Sequence, residues 1–326
     1  MATQSNIARP AALNAETLRQ FAPLITLGAL FVLVSILSPE FLSVQTLVVL
    51  ASDTAVLFVL AAGVTFVIML GGIDLSIQAI AALCSVVAAL ALSKWQLGYA
   101  SFGIGIVVGV LAGVLNGLVH TRIRIPSFIA TLASGGVWVG TALVISNGGP
   151  ISIAISDSKY VQWAIGKTFG IPNEVFIGGL ILAFSFVIQH YTQFGRYSTA
   201  IGAGEAATWA SGVKVDRYKV IAFAISGTMA GLAGVMLAAR QSAGSPRSAD
   251  GFLLLAIATV IVGGTAITGG VGSVTRTLIG ALIVSVVRIG MTFVGVDIFA
   301  QQIVFGIMLV LAVAVTIDRS KIPIVK

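Results

Sequence analysis

Few side chains in this sequence could do chemistry, and they lie far apart. His120 and His190 have no Cys, carboxylate or second His at the short spacings that hold a metal, so no metal site is expected. The single cysteine, Cys84, stands in an apolar stretch and reads as a small packed core residue; one thiol also excludes an intrachain disulfide. No nucleophile elbow or zinc-protease motif occurs. Gly166-Lys167-Thr168 ends like a phosphate-binding loop, but the position that must hold its first glycine is Val161, so ATP is not bound that way. Neither a catalytic residue nor a cofactor is expected. What remains are polar residues set against apolar runs. Asp74 and Ser76 precede one such run, where they suit either helix N-capping or a polar contact along a solute pathway. Asp53 opens a run and Asn116 lies late in another; both suit caps or interhelical bonds. Arg288 lies inside a run, where a cation costs about 2.5–3.5 kcal/mol on insertion scales. It must face a cavity or a carboxylate, or snorkel to the outer headgroups.

The elements that position these residues follow from composition. Hydrophobic residues make up 58% of the 326 and charged residues 9%, too few charges to cover a water-soluble surface. The mean hydropathy of +1.08 agrees. At about 20 apolar residues per helical span, the chain holds roughly ten spans. The segments are Ala22–Leu37, Ala55–Leu70, Ile77–Leu92, Phe102–Val119, Phe128–Ile145, Val175–Ile188, Val220–Ala239, Leu253–Val262, Leu278–Val296 and Ile303–Ile317. They are long and lack polar/apolar alternation, which favours helices over a β-barrel. The expected fold is an all-α polytopic membrane protein of about ten transmembrane helices, some broken or re-entrant. Val44–Ala51 and Leu253–Val262 are short enough to be half-helices or interfacial helices.

Basic residues set the orientation. Arg9 and Arg19, Arg122 and Arg124, the group Arg196, Lys214, Arg217 and Lys219, and finally Arg319, Lys321 and Lys326 all fall on one side of ten spans. That side is the cytoplasm, so both termini are expected there, with residues 147–173 outside. The net charge of +7 comes without any basic run, which argues against nucleic-acid binding. The first 20 residues are polar, and the run from Phe21 to Leu37 meets Pro39-Glu40 instead of a cleavage site, so it reads as a first span that is also an uncleaved anchor. The expected organisation is a cytoplasmic tail over 1–20, one membrane domain over 21–318 and a second tail over 319–326.

Glycine follows two patterns among its 37 occurrences. Gly105, Gly109, Gly113 and Gly117 recur on one helix face, as do Gly227 and Gly231 on another. Small residues at this spacing let helices approach closely in lipid. By contrast, Gly71-Gly72 and Gly263-Gly264, the latter followed by Gly269-Gly270-Val271-Gly272-Ser273, interrupt apolar runs. Each break frees backbone groups that protein or a water-filled cavity must satisfy. Paired breaks of this kind point to a transport pathway, and a tight surface turn is the plainer account. The longest polar segment, 192–218, is expected in the cytoplasm. Within it Glu205–Ser211 reads as a short helix closed by Gly212, bearing Trp209 for docking into a partner or forming a solvated connector.

These residues together resemble the permease subunits of bacterial ABC importers for ribose, xylose, galactose and related monosaccharides. The resemblance is carried by Gly71-Gly-Ile-Asp-Leu-Ser76, Ile125-Pro-Ser-Phe-Ile-Ala-Thr-Leu132, Phe194-Gly-Arg through Ala206-Ala207 and Ser211-Gly212-Val213, Ser226-Gly227 through Leu237-Ala-Ala-Arg240, and Val262-Gly-Gly-Thr265 with Gly269-Gly-Val-Gly-Ser273. It implies two permease chains forming a pore between them in the lipid, a cytoplasmic ATPase, and a periplasmic binding protein that delivers a sugar. It also implies that 192–218 is the coupling loop, with Gly195, Arg196, Gly202, Glu205, Ala207, Trp209 and Gly212 toward the ATPase. Gly71, Gly72, Asp74, Ser76, Asn116, Gly263, Gly264 and Arg288 are the expected pathway or gating residues. Two positions depart from the family pattern: Gln78 follows Ile77 where a glycine is usual, and Arg288 stands where many members carry Asn. An ion-coupled secondary transporter is the alternative, but it needs midplane acids or histidines, and Asp53 and Asp74 both sit at span ends.

Overall fold

A computed structural model describes residues 15–316 of the chain. Arg9, Arg319, Lys321 and Lys326, both chain ends, and Ile317 at the close of the tenth expected segment lie outside the described residues. The helices are α1 (Ala15–Leu37), α2 (Val44–Met69), α3 (Ile77–Ser93), α4 (Ala100–Arg122), α5 (Ser127–Ser146), the single turn α6 (Gln162–Ile165), α7 (Asn173–Tyr191), α8 (Gln193–Ala203), α9 (Glu205–Ala210), α10 (Val215–Gln241), α11 (Phe252–Val262), α12 (Val274–Phe293) and α13 (Ile298–Thr316). Helices form because apolar runs in lipid must satisfy their backbone groups internally. Six of them, α2, α4, α5, α7, α10 and α12, are long and apolar enough to cross a membrane. Shorter apolar helices occupy Phe21–Leu37, Ile77–Ser93, Phe252–Val262 and Phe299–Ala314.

Several expected boundaries move: α10 begins at Val215 and not at Val220, and α13 at Ile298 and not at Ile303. The second helix begins at Val44 and not at Ala55, so Val44–Ala51 is its first two turns and not a separate half-helix. Asp53 therefore lies inside α2 and does not open it. The ninth segment stops at Phe293, with Val294 as its C-cap, three residues before the expected end at Val296.

Every residue of α2 from Thr54 to Met69 is buried, which suits a helix that is apolar all round and sits at the centre of a bundle. Around it pack α7, α10, α11 and α12, with α3 and α4 joined to the bundle through α10. The tightest seam joins α4 to α10. A Cβ on Gly113 would run into the Phe223 carbonyl and lie 3.0 Å from the Gly227 Cα; one on Gly109 would lie 2.8 Å from the Gly231 Cα. The glycine rows read from the sequence thus face each other, backbone on backbone.

Two apolar segments are only half helical. Residues 72–76 run without helix before α3, and the chain from Ser242 to Gly251 does so before α11. The second stretch starts in a two-residue strand, β4 (Ala243–Gly244), paired antiparallel with β1 (Ile151–Ser152). It then descends along α3, where Ser85 Oγ reaches Ser245 O at 3.2 Å and Ser248 Oγ at 3.1 Å. A small hairpin, β2 (Lys167–Thr168) with β3 (Ile171–Pro172), closes the loop before α7.

Candidate functional site

The two glycine breaks meet at one point, at the end of the bundle that carries Arg122, Arg196 and Lys214. Gly71 has φ +79°, Gly269 +85° and Gly270 +76°, a left-handed conformation that only glycine adopts freely. The Gly270 N–H donates to Met69 O at 2.9 Å, and a Cβ on Gly269 would lie 2.8 Å from Gly71 N and 3.0 Å from the Gly202 Cα. Gly202 closes the triangle: a Cβ there would run into Met69 O and Gly270 N. The last turn of α8 is therefore wedged between both breaks. Within the second break, the pair that reaches Gly71 is Gly269-Gly270. Gly263 instead packs on the start of α12, 2.6 Å from Arg276 O by its virtual Cβ, and Gly264 turns the chain at φ +89° with open space beside it.

A side chain from α7 straps the second break in place. Gln189 Nε2 donates to Gly272 O at 2.8 Å, and its Oε1 accepts from Val274 N at 2.9 Å. Nearby, Thr65 and Thr277 join α2 to α12 through a 2.8 Å hydroxyl pair. The α7–α8 corner is equally tight: a Cβ on Gly195 would run into Gln189 O, and Thr192 caps α8 by accepting from Gly195 N at 3.4 Å. Beyond Gly202, α9 buries no residue. It ends at Gly212, whose φ of +84° makes it the expected C′ glycine. Arg196, Ala207 and Gly212 are exposed, and Trp209 is 71% exposed. Glu205 holds α9 down through a 2.6 Å pair with Lys219 of α10, an exposed contact worth little by itself. Between α9 and the first break lies a crevice of about 290 Å³ lined by Gly71, Gly72, His120, Ser127, Glu205 and Lys219.

One helical turn deeper, the extended stretch 72–76 finds partners for its freed backbone groups. Ile73 N donates to Ser127 Oγ and Leu75 N to Thr131 Oγ1, both at 3.0 Å. Asp74 is fully buried. Its Oδ1 accepts from Ser76 N at 3.0 Å and Ser76 Oγ at 2.6 Å, and its Oδ2 accepts from Ser226 Oγ at 2.7 Å. Asn116 Nδ2 donates to Ser76 Oγ at 2.7 Å, while Asn116 Oδ1 is buried without a partner. Asp74 and Ser76 are thus not an N-cap of α3: Ser76 occupies that position with no side-chain cap bond. They tie the break to α4 and α10.

Of the two readings expected for Asp53, a cap or an interhelical bond, the structure has the second. At the opposite end of the bundle Arg240 donates to Asp53 at 2.5 Å and to both oxygens of Glu174, at 3.0 and 2.6 Å. This fork binds α2, α7 and α10, and a planar guanidinium suits it. Arg288 stands apart from all these groups, half-buried on α12, its guanidinium 5.6 Å from the centre of the Phe252 ring.

The expected residues therefore gather in two places: Gly71 with Gly202, and Asp74 with Ser76 and Asn116. Sequence reasoning missed Gln189, Ser226, Glu174, Ser127 and Thr131. A run of Ser or Thr on otherwise apolar helices was the available signal, and it does not say which backbone group each hydroxyl meets.

The chain matches the family described as "Branched-chain amino acid transport system / permease component" over residues 46–313. It is similar to the ribose import permease protein RbsC of Bacillus subtilis, 38% identical over 304 residues, 93% of this chain and 94% of the relative. RbsC of Escherichia coli K12 is 35% identical over 300 residues, 91% and 93% of the two chains. The L-arabinose transport system permease protein AraH of the same strain is 31% identical over 302 residues, 93% and 91%. No solved structure matches the chain.

Proposed function

The chain belongs to this family of transport permease components, and from that premise we propose that it is the pore-forming, non-catalytic subunit of an ATP-driven ABC importer of a monosaccharide or related polyol. The family description speaks of branched-chain amino acids; the sugar reading rests on the near-full-length relatives whose names concern ribose and L-arabinose. The importer would contain two copies of this chain side by side in the bacterial inner membrane, a cytoplasmic ATPase and a periplasmic binding protein. Six long and four shorter apolar helices supply ten passes, with both termini on the cytoplasmic side by the distribution of Lys and Arg.

One observation supports the mechanism above all others: α8 ends on Gly202, in backbone contact with both glycine breaks. Segment 192–218 is then the coupling element. Force applied by the ATPase to exposed α9 travels through Gly202 to Gly71 and to Gly269-Gly270, and so to the two half-helical spans. Nucleotide shifts the pore between inward and outward states only by its different affinity for the two. Gly71, Gly72, Gly263 and Gly264 act as gating hinges, and Asp74, Ser76 and Asn116 hold the first of them to α4 and α10.

Reconstitution with the ATPase and the loaded binding protein in proteoliposomes tests this. D-ribose uptake is expected to require ATP; uptake driven by an ion gradient alone would overturn it. Cysteine at Trp209 is expected to crosslink to the ATPase, and labelling of that cysteine from the periplasmic side only would reverse the topology.

A further inference from the structure

The start of α11 combines features that the preceding reading leaves unexplained. Gln78, on the second residue of α3, crosses to this helix start: its Oε1 accepts from Leu253 N at 3.2 Å, and its Nε2 lies 3.5 Å from Asp250 Oδ1. Asp250 is exposed. Phe252 carries the Arg288 guanidinium over its ring. Two opposite charges thus flank one helix start, and neither Asp250 nor Arg288 has an ion-pair partner among the described residues.

Depth makes this arrangement informative. Gln78 precedes Ser93, the last residue of α3, by 15 residues, about 22 Å of helix. In the other direction, Ser76 is bonded to Asn116, which precedes Arg122 by six residues, about 9 Å. The two spans add to roughly the thickness of a bilayer's hydrocarbon core, so Gln78 and its partners lie within it. The backbone of 245–251 is not helical at this depth. Non-helical backbone and an unpaired carboxylate are tolerated there only against protein or water. Asp250 is not covered by its own chain, which leaves water or the second copy beside it, and a pathway running between the two copies supplies the water.

We infer that Gln78, Asp250 and Arg288 form a contact station for a neutral polyhydroxyl solute partway along the pathway. The inference rests on the sugar-importer reading above. The chemistry fits such a solute. Asp250 accepts from vicinal hydroxyls, Gln78 Nε2 has only a long internal bond to give up, and Arg288 donates to ring or hydroxyl oxygens. Carboxylate and guanidinium cancel, so the station carries no net charge to trap or repel an uncharged sugar.

The test uses the reconstituted importer with D-ribose and 2-deoxy-D-ribose as probes. Asp250→Asn is expected to lower ribose uptake per complex about tenfold, as the loss of a charge-assisted hydrogen bond predicts. The loss for 2-deoxyribose is expected to be smaller, since it has one hydroxyl fewer to miss. Gln78→Ala is expected to narrow the same preference. Unchanged uptake and unchanged preference in both variants would overturn the station. Because Asp250→Asn could impair folding, Asp250→Cys in a Cys84→Ala background gives a second readout. A membrane-impermeant thiol reagent is expected to label it, and ribose-loaded binding protein to slow the labelling. No labelling in any nucleotide state would place residue 250 against lipid or the second copy and overturn the proposal. Failure of the wild-type importer to take up any of ribose, arabinose or a related polyol, or uptake of a branched-chain amino acid in their place, strikes the sugar reading before any variant is made.

Discussion

Glycine crowds two regions of this molecule, and they differ in kind. Along the α4–α10 seam, Gly109, Gly113 and Gly117 face Gly227, Gly231 and Val220 in regular helix, with each backbone already bonded to itself. At the junction of Gly71, Gly202 and Gly269-Gly270, three of the four glycines have positive φ, and two helix ends, of α2 and α8, meet a non-helical stretch with one backbone bond between them, Gly270 N to Met69 O. Two rods pressed together over many contacts have one arrangement. Three chain turns held by few bonds have room for a second. The same residue type therefore serves permanence in one place and, in the mechanism proposed above, movement in the other.

The strongest way to break this comparison is to put bulk in the seam. Gly113→Leu would drive carbons into the Phe223 carbonyl, with no flexible neighbour to give way. The expected cost exceeds the about 1–3 kcal/mol usual for overpacking, read as a large fall in melting temperature in detergent and loss of the monodisperse peak. A stable Gly113→Leu protein would mean that the seam is looser than drawn. A smaller effect on folding and a larger one on work is expected at the junction. Gly202→Ala puts a methyl into backbone atoms, Met69 O and Gly270 N, so it must part α8 from both breaks; it is expected to lower sugar uptake per ATP hydrolysed several-fold, by more than its fall in melting temperature accounts for. Equal losses of melting temperature and of coupling in the seam and junction variants would erase the distinction. The smallest change is expected at Gly136 on α5, where a Cβ meets nothing within 4 Å. Gly136→Ala should raise stability by about 0.4–1 kcal/mol with uptake unchanged, which would show that contact, and not glycine content, sets the effect.

The charges repeat the lesson at the two levels of α12 and α10. Arg240 is satisfied on three sides by Asp53 and Glu174 and fastens three helices, whereas Arg288 has only an aromatic face. Removing Arg240 would leave Glu174, 4% exposed, without its countercharge, so Arg240→Met is expected to destabilise the fold.

By itself the sequence determined the environment and the local geometry. With 58% apolar residues in runs of helical length, lipid and helix follow from backbone bonding alone. The four-residue glycine rows dictated a close seam, and Gly212 ended α9 where its lack of a Cβ permits φ +84°. These are short-range consequences of solvent partition and steric freedom. Tertiary structure alone decided which distant segments meet. That Gly71 touches Gly269-Gly270 and not Gly263-Gly264 depends on how α2 packs against α12; that Asp74 is a buried hub and not a cap depends on Ser226 and Asn116 arriving from two other helices. Arg240 with Glu174, 66 residues apart, and Gln78 with Leu253, 175 residues apart, are likewise pairs that no local rule brings together. A polar side chain in an apolar run announces that it needs a partner. Only the packing of the helices supplies one.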